Sequence, residues 1–235
     1  MPYTELQPTA ALRPWVECFW TNSDEAPSGV QRVLPDGCAD LVFDLHEGSS
    51  AVVGTMTKPL LLPPQGSFEF FGVRFRPGHA AAFLRIPLAE ITDARVPLGE
   101  IWSGWSDGIL ERRLSELITT LESELLRRLD PDRDRRVDAA IARIAEGNVR
   151  IDEMAREIGI SRQHLARQFL HHVGVSPKTF ARVMRFRRLT GSLLDSDVDW
   201  ADVALEHGFY DQSHLIADFR ELAGTTPNVF HFSNR

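Results

Sequence analysis

Apolar and polar positions follow more than one rhythm along the 235 residues. From about residue 15 to 76 the apolar runs are short and broken by Pro and Gly: CFW, VQRVLPDG, ADLVFDLHEG, SAVVGTM, KPLLLPPQG and FEFFGVRFRPG. β-Branched and aromatic residues between turn formers predict short strands joined by turns. HAAAFLRI (79–86) predicts a helix ended by Pro87, with LAEI and the PLGEIW region as further short helices. Over residues 109–129 the spacing changes to steps of three and four. Leu110, Leu114, Leu117, Ile118, Leu121, Leu125 and Leu129 share one broad face, opposite Glu111, Arg112, Glu116, Glu122, Glu124 and Arg127. This predicts a single amphipathic helix, whose apolar face either covers its own domain or forms a coiled-coil seam.

DPDRDRR (130–136) is charged and contains Pro, and the domain boundary is placed there, giving 1–130 and 131–235. Beyond it every stretch has helical spacing: RVDAAIARIAEG, IDEMAREIG, SRQHLARQFLHHVG, SPKTFARVMRFRRLTGSLLDS, WADVALEHG and DQSHLIADFRELAG. Two of these helix pairs are copies. His164-Leu165, Phe169, Gly174 and Pro177 recur 50 positions on as His214-Leu215, Phe219, Gly224 and Pro227. Ala155 and Gly159 match Ala204 and Gly208, so the second turn holds one extra residue. A small alanine lets two helices cross closely, the glycine makes the turn, and Leu and Phe pin the second helix down. This is a helix-turn-helix arrangement, at 151–172 and 200–222, joined by a linker helix over 177–194.

Net charge changes the picture only when divided. The chain carries −7, but residues 1–130 hold 11 Lys+Arg against 18 Asp+Glu, and residues 131–235 hold 15 against 15. All excess acid lies in the first half. Lys178, Arg182, Arg185, Arg187 and Arg188 fall in eleven residues without an acid, and such a local field suits a polyanion. In copy one Ser161 is the expected N-cap, with Arg162, Gln163, Ala166 and Arg167 outward; Arg forks onto guanine and Gln pairs with adenine. In copy two Asp211 caps and Gln212, Ser213, Ala217 and Asp218 are expected outward, so copy one is expected to do most of the base reading. A helical-repeat array binding protein would ordinarily need three or so units.

The ordered set Ala155…Gly159…Ser161-Arg162-Gln163-His164-Leu165…Phe169…Gly174…Ser176-Pro177, Arg185-Phe186-Arg187, then Asp202-Val203-Ala204…Gly208-Phe209…Ser213-His214-Leu215…Phe219…Gly224…Thr226-Pro227 resembles the DNA-binding domain of the AraC/XylS family of bacterial transcription regulators. The likeness covers about 134–233. It implies seven helices and two recognition helices entering successive major grooves about 34 Å apart. It carries base contacts onto Gln163, Ala166 and Arg167, and onto Gln212, Ser213, His214 and Ala217. Alanine at 166 and 217 departs from the family's longer polar residues and limits reading there to a thymine methyl. Ser161, Arg162, His164, Lys178, Arg182 and Arg185 complete the expected DNA-binding set.

The family pairs this domain with a variable effector or dimerisation domain. VLPDGCADLVFDL (33–45) and GVRFRPG (72–78) resemble an uncharacterised N-terminal domain of some members, over about 8–128. Asp36, Cys38, Asp40 and Arg74 are candidate ligand-pocket residues. The competing reading has Asp36 closing its own turn, Asp40 paired with Arg74 or Arg76, and Cys38 as packed core. Trp15, Trp20, Trp102 and Trp105 read as core. Two cysteines and the adjacent His171-His172 make no metal site, and nothing brings Cys38 to His46 or His79 as nucleophile and base.

The expected fold is therefore α+β multidomain: a small β-rich N-terminal domain with appended helices, and an all-α C-terminal domain of about seven helices with two helix-turn-helix units. The expected function is a sequence-specific DNA-binding regulator, not an enzyme, with no cofactor, cytoplasmic and nucleoid-associated. Its partners are double-stranded DNA, with a small-molecule effector, RNA polymerase and a second copy as candidates, and no membrane. The alternatives are a ligand-independent DNA binder and a protein-interaction module using the basic linker helix.

Overall fold

The computed structural model describes residues 3–25, 29–62, 66–132, 134–147, 149–193 and 199–233. In the first half, strands β1 (Thr4–Leu6), β2 (Val16–Asp24), β4 (Asp40–Asp44), β5 (Ser49–Val53), β7 (Phe68–Phe75) and β8 (Arg95–Pro97) form one sheet in the order β1-β2-β7-β4-β5-β8. Every neighbouring pair is antiparallel. β3 (Gln31–Val33) and β6 (Leu60–Leu62) pair apart as a ribbon. DLVFD shows why the strands form: Leu41 and Phe43 are fully buried while the residues between them are half-buried, the alternation of a sheet with one core face. Phe71 stacks between Phe19 and Phe43 at centroid distances of 5.9 and 5.7 Å. Trp20 lies across Gly72, where a Cβ would come within 2.1 Å of the indole, so only glycine fits.

The core face is covered by α1 (Ala81–Leu84), α2 (Leu98–Ile101) and α3 (Leu114–Arg128). Leu117, Leu121 and Leu125 of α3 are fully buried in this core, so the leucine face covers its own domain, and the coiled-coil alternative loses that face. The helix expected over 109–129 is split. Residues 107–111 form a separate 3-10 turn capped by Ser106, which swings Leu110 into the core before α3 begins. Trp102 is buried and donates from Nε1 to the Phe83 carbonyl at 3.2 Å, as a core tryptophan does.

The second half contains α4 (Arg135–Glu146), α5 (Ile151–Glu157), α6 (Arg162–His172), α7 (Pro177–Ser192), α8 (Trp200–Glu206), α9 (Gln212–Leu222) and α10 (Pro227–Ser233). Those are the seven helices the family resemblance implies. The expected end of the linker helix at 194 lies outside the described residues. α7 starts with Ser176 accepting from the Thr179 N–H and Pro177 in the first turn. It serves two cores at once: Phe180 and Met184 join one with α4–α6, and Val183, Phe186 and Leu189 join another with α8–α10.

The halves meet along α7 and the turn after α6. Thr55 and Thr92 donate their hydroxyls to the carbonyls of Val173 and Gly174 at 2.6 and 2.7 Å. Gly37, at φ +82, lies so close to α7 that a Cβ would stand 2.8 Å from the Phe180 ring. Leu34 packs against the second helical core.

Candidate nucleic-acid interface

Both units close their turns the same way. The Ile160 N–H donates to Ala155 at 3.0 Å and the Phe209 N–H to Ala204 at 2.8 Å. Gly159 and Gly208 take φ +73 and +75, the left-handed region that glycine enters without a Cβ penalty. Ala155 and Ala204 are buried at the crossings, and Leu165, Phe169, Leu215 and Phe219 are fully buried anchors. Ser161 accepts from the His164 N–H at 3.1 Å and Asp211 from the His214 N–H at 2.8 Å. Each recognition helix therefore starts with a formed cap, and its next amides and polar face point outward.

In copy one Arg162, Gln163 and Arg167 are exposed, and Ala166 is half-buried among them. Arg162 Nε stands 3.3 Å from Asp152 at the surface. His164 turns toward the start of α4, with Nε2 3.8 Å from Asp134. In copy two Gln212, Ser213 and Ala217 are exposed, but Asp218 is 3% exposed, which corrects the expectation that it faces outward. The reason is electrostatic. Asp218 accepts from Arg182 Nε at 2.6 Å and from Arg185 Nη2 at 2.9 Å, two guanidiniums around one buried carboxylate.

The arginines of the linker helix are engaged within the chain. Arg182 reaches Glu221 as well as Asp218. Arg185 lies 4.4 Å over the Phe209 ring, a cation–π contact. Arg187 crosses to the first half, donating to Glu17 at 2.9 Å and to the Asp36 carbonyl at 3.3 Å. Arg188 caps α4 through the Ala145 carbonyl at 2.8 Å. Lys178 is the exposed member of the run. Arg182 and Arg185, three apart on one helix face, meet Asp218, where copy one has Gln168.

His214 is held from two sides. Its Nδ1 accepts from the Tyr210 N–H at 3.2 Å, so a neutral ring carries its proton on Nε2, which faces Asp218 at 4.0 Å. The approach of Arg185 Nη2 to Nε2, 3.1 Å, is then a packing contact between two donors.

Asp36, Cys38, Asp40 and Arg74 do come together, as a closed cluster. Asp36 accepts from the Cys38 N–H at 2.9 Å, closing its own turn. Arg74 Nε lies 3.4 Å from Asp36 and 3.5 Å from Asp40. Cys38 is buried, its Sγ 3.6 Å from Glu17. Burial pushes the Asp40 carboxyl up to about 7 despite the opposing pull of Arg74, and burial likewise raises the Cys38 thiol. Sequence reasoning missed that this cluster backs onto Arg187 and so onto the linker helix. A cavity of about 260 Å³ lies elsewhere, between α1 and the end of α6, with Arg85, Asp130, Asp132, His171 and His172 in its lining. Among the described residues no group of three or more His, Cys, Asp or Glu is arranged for a metal ion.

Residues 154–231 match the family described as Helix-turn-helix domain, and residues 4–97 match Domain of unknown function DUF6597. The probable transcription factor PqrA of Proteus vulgaris is 32% identical over 82 residues, covering 35% of this chain and 67% of PqrA. The transcriptional regulator ExsA of Pseudomonas aeruginosa is 30% identical over 79 residues, covering 34% of this chain and 28% of ExsA. The regulator YbfI of Bacillus subtilis is 32% identical over 68 residues, so the match spans 29% of this chain and 24% of YbfI. Among solved structures, ToxT from Vibrio cholerae aligns at 12% identity with a TM-score of 0.49, over 91% of this chain and 97% of ToxT. The helix-turn-helix match spans most of the two capped units and the linker between them, and the chain belongs to the AraC/XylS family of transcription regulators.

Proposed function

We propose that the chain binds specific DNA sequences through its two recognition helices, with copy one as the main base reader, and that the first half governs this binding. One observation carries the reading: Arg162, Gln163 and Arg167 stand exposed on the first turns of a helix capped by Ser161 and anchored by fully buried Leu165 and Phe169. That is a polar face of forks and amides on a rigid mount, with the geometry a major groove requires. Ser161, His164, Ala166, Gln212, Ser213, His214, Ala217 and the exposed Lys178 flank it. Selection of duplexes from a random pool by the full chain tests it. A motif spanning two adjacent grooves is the expected result; no enriched sequence would sink the reading.

Governance by the first half is supported by its grip on the reader itself. Thr55 and Thr92 hold the turn that ends α6, and Glu17 and Asp36 hold Arg187 of α7. A signal that moves the 36–38 turn therefore acts on the helix between the two units. The interaction-module alternative needed a free basic helix, and Arg182, Arg185, Arg187 and Arg188 are all engaged within the chain. A small-molecule effector, self-association, RNA polymerase contact and a cytoplasmic location belong to this proposal. Among the described residues no helix is long and apolar enough to cross a membrane.

A further inference from the structure

The two units differ by one residue, and the structure shows which. Ile160 and Phe209 occupy the same place, each donating its N–H to the alanine at the helix crossing and each buried. In copy one the N-cap Ser161 follows at once; in copy two Tyr210 intervenes before the N-cap Asp211. Copy one closes the same turn without it, so folding does not require the inserted residue. Tyr210 is 86% exposed, the most exposed large hydrophobic residue among the described residues.

The inserted turn is nevertheless held firmly from behind. The Tyr210 N–H donates to His214 at 3.2 Å, the His214 ring meets the Phe209 edge at 5.4 Å, and the Arg185 guanidinium covers Phe209. The backbone is fixed while the phenol stands in solvent beside the exposed start of α9. That is where a helix entering the major groove passes the phosphate strand. The outward face there, Gln212, Ser213 and Ala217, carries no cation, and its cap Asp211 is anionic. At the start of α9 copy two lacks the exposed arginines of copy one; its exposed cation on that helix, Arg220, lies in the last turn.

We propose that Tyr210 is a DNA-backbone contact of the second unit, its hydroxyl donating to a phosphate at the edge of the groove that α9 enters. Arg185 acts as the positioning residue behind it. The proposal rests on the DNA-binding reading above and deepens it.

The test measures affinity of the full chain, Tyr210→Phe and Tyr210→Ala for the selected two-groove duplex over a range of salt. Both variants should bind roughly 3- to 10-fold more weakly, the loss expected for one hydrogen bond. Their salt dependence should run parallel to the wild type, because no charge is removed. Their thermal midpoints should be unchanged, because the ring is exposed. On a duplex cut back to the first unit's groove all three should bind alike. Tyr210→Phe binding within about twofold of wild type on the long duplex would overturn the contact. A deficit that persists on the short duplex would overturn it too. A wild-type chain that binds no duplex overturns the DNA reading itself, an outcome distinct from either.

Discussion

Arg167 stands exposed on the second turn of α6, one position beyond the half-buried Ala166. If it forks onto a guanine, Arg167→Ala weakens binding by about 1–3 kcal/mol and relaxes choice at one base position. Competition binding against single-base variants of the selected site reads this, and equal losses on all sequences would make Arg167 a phosphate contact instead. Asp218 offers the opposite kind of test, because it is buried against the half-buried Arg182 and Arg185. Asp218→Ala takes from Arg185 the carboxylate it pairs with, leaves Arg182 with Glu221 alone, and should destabilise the chain by about 2–4 kcal/mol. Urea unfolding measures it; a change under about 0.5 kcal/mol would mean that the guanidiniums find solvent instead. The charge pattern that placed Arg182 and Arg185 at the DNA surface was read correctly as a basic run. What the run serves depends on residues some 35 positions away, and one-dimensional spacing does not report those.

Strand β4 shows how an element's surroundings set its chemistry. Its alternation was legible, and so were the two competing readings of Asp36, Cys38 and Asp40. Packing of β4 against β7 decides the pairing, because the register sets Asp40 opposite Arg74. Asp40 has its folded pKa raised to about 7 from the usual 3.8. The folded chain then binds more protons than the unfolded chain between those values, so stability is greatest below about pH 4 on this account and falls as pH rises to about 7. Asp40→Asn should flatten that slope, as followed by thermal melts from pH 5 to pH 8. An unchanged slope would move the titration to another group. In α3 the leucine period was clear, yet the period alone left both a self-covering helix and an intermolecular seam open. Burial of Leu117, Leu121 and Leu125 within the chain decides between them.

At the scale of the whole molecule, the linker helix is shared by three bodies: both helical cores and the strand-rich half. Arg187 links it to the last through Glu17 and the Asp36 carbonyl, and Gly37 is seated close under Phe180 of the same helix. Arg187→Ala should change the full chain's DNA affinity by a coupling of about 1–3 kcal/mol. Because the link runs through Glu17, Arg187→Ala and Glu17→Gln should be non-additive in a double-mutant cycle read by DNA affinity. Full additivity would mean that the two halves meet without communicating through this pair.

Local periodicity and the fifty-residue repeat by themselves determined the two helix-turn-helix units, their caps and their anchors, because those depend on contacts a few residues apart. The outward faces of Arg162, Gln163, Arg167, Gln212 and Ser213 followed from the same helical geometry. Tertiary structure alone decided the fate of the charges: Asp218 turned inward, Arg187 bound to the other half, Asp40 sealed against Arg74. A side chain's charge is written in its residue type. Whether that charge meets solvent, DNA or a buried partner depends on which distant surfaces the fold presses against it.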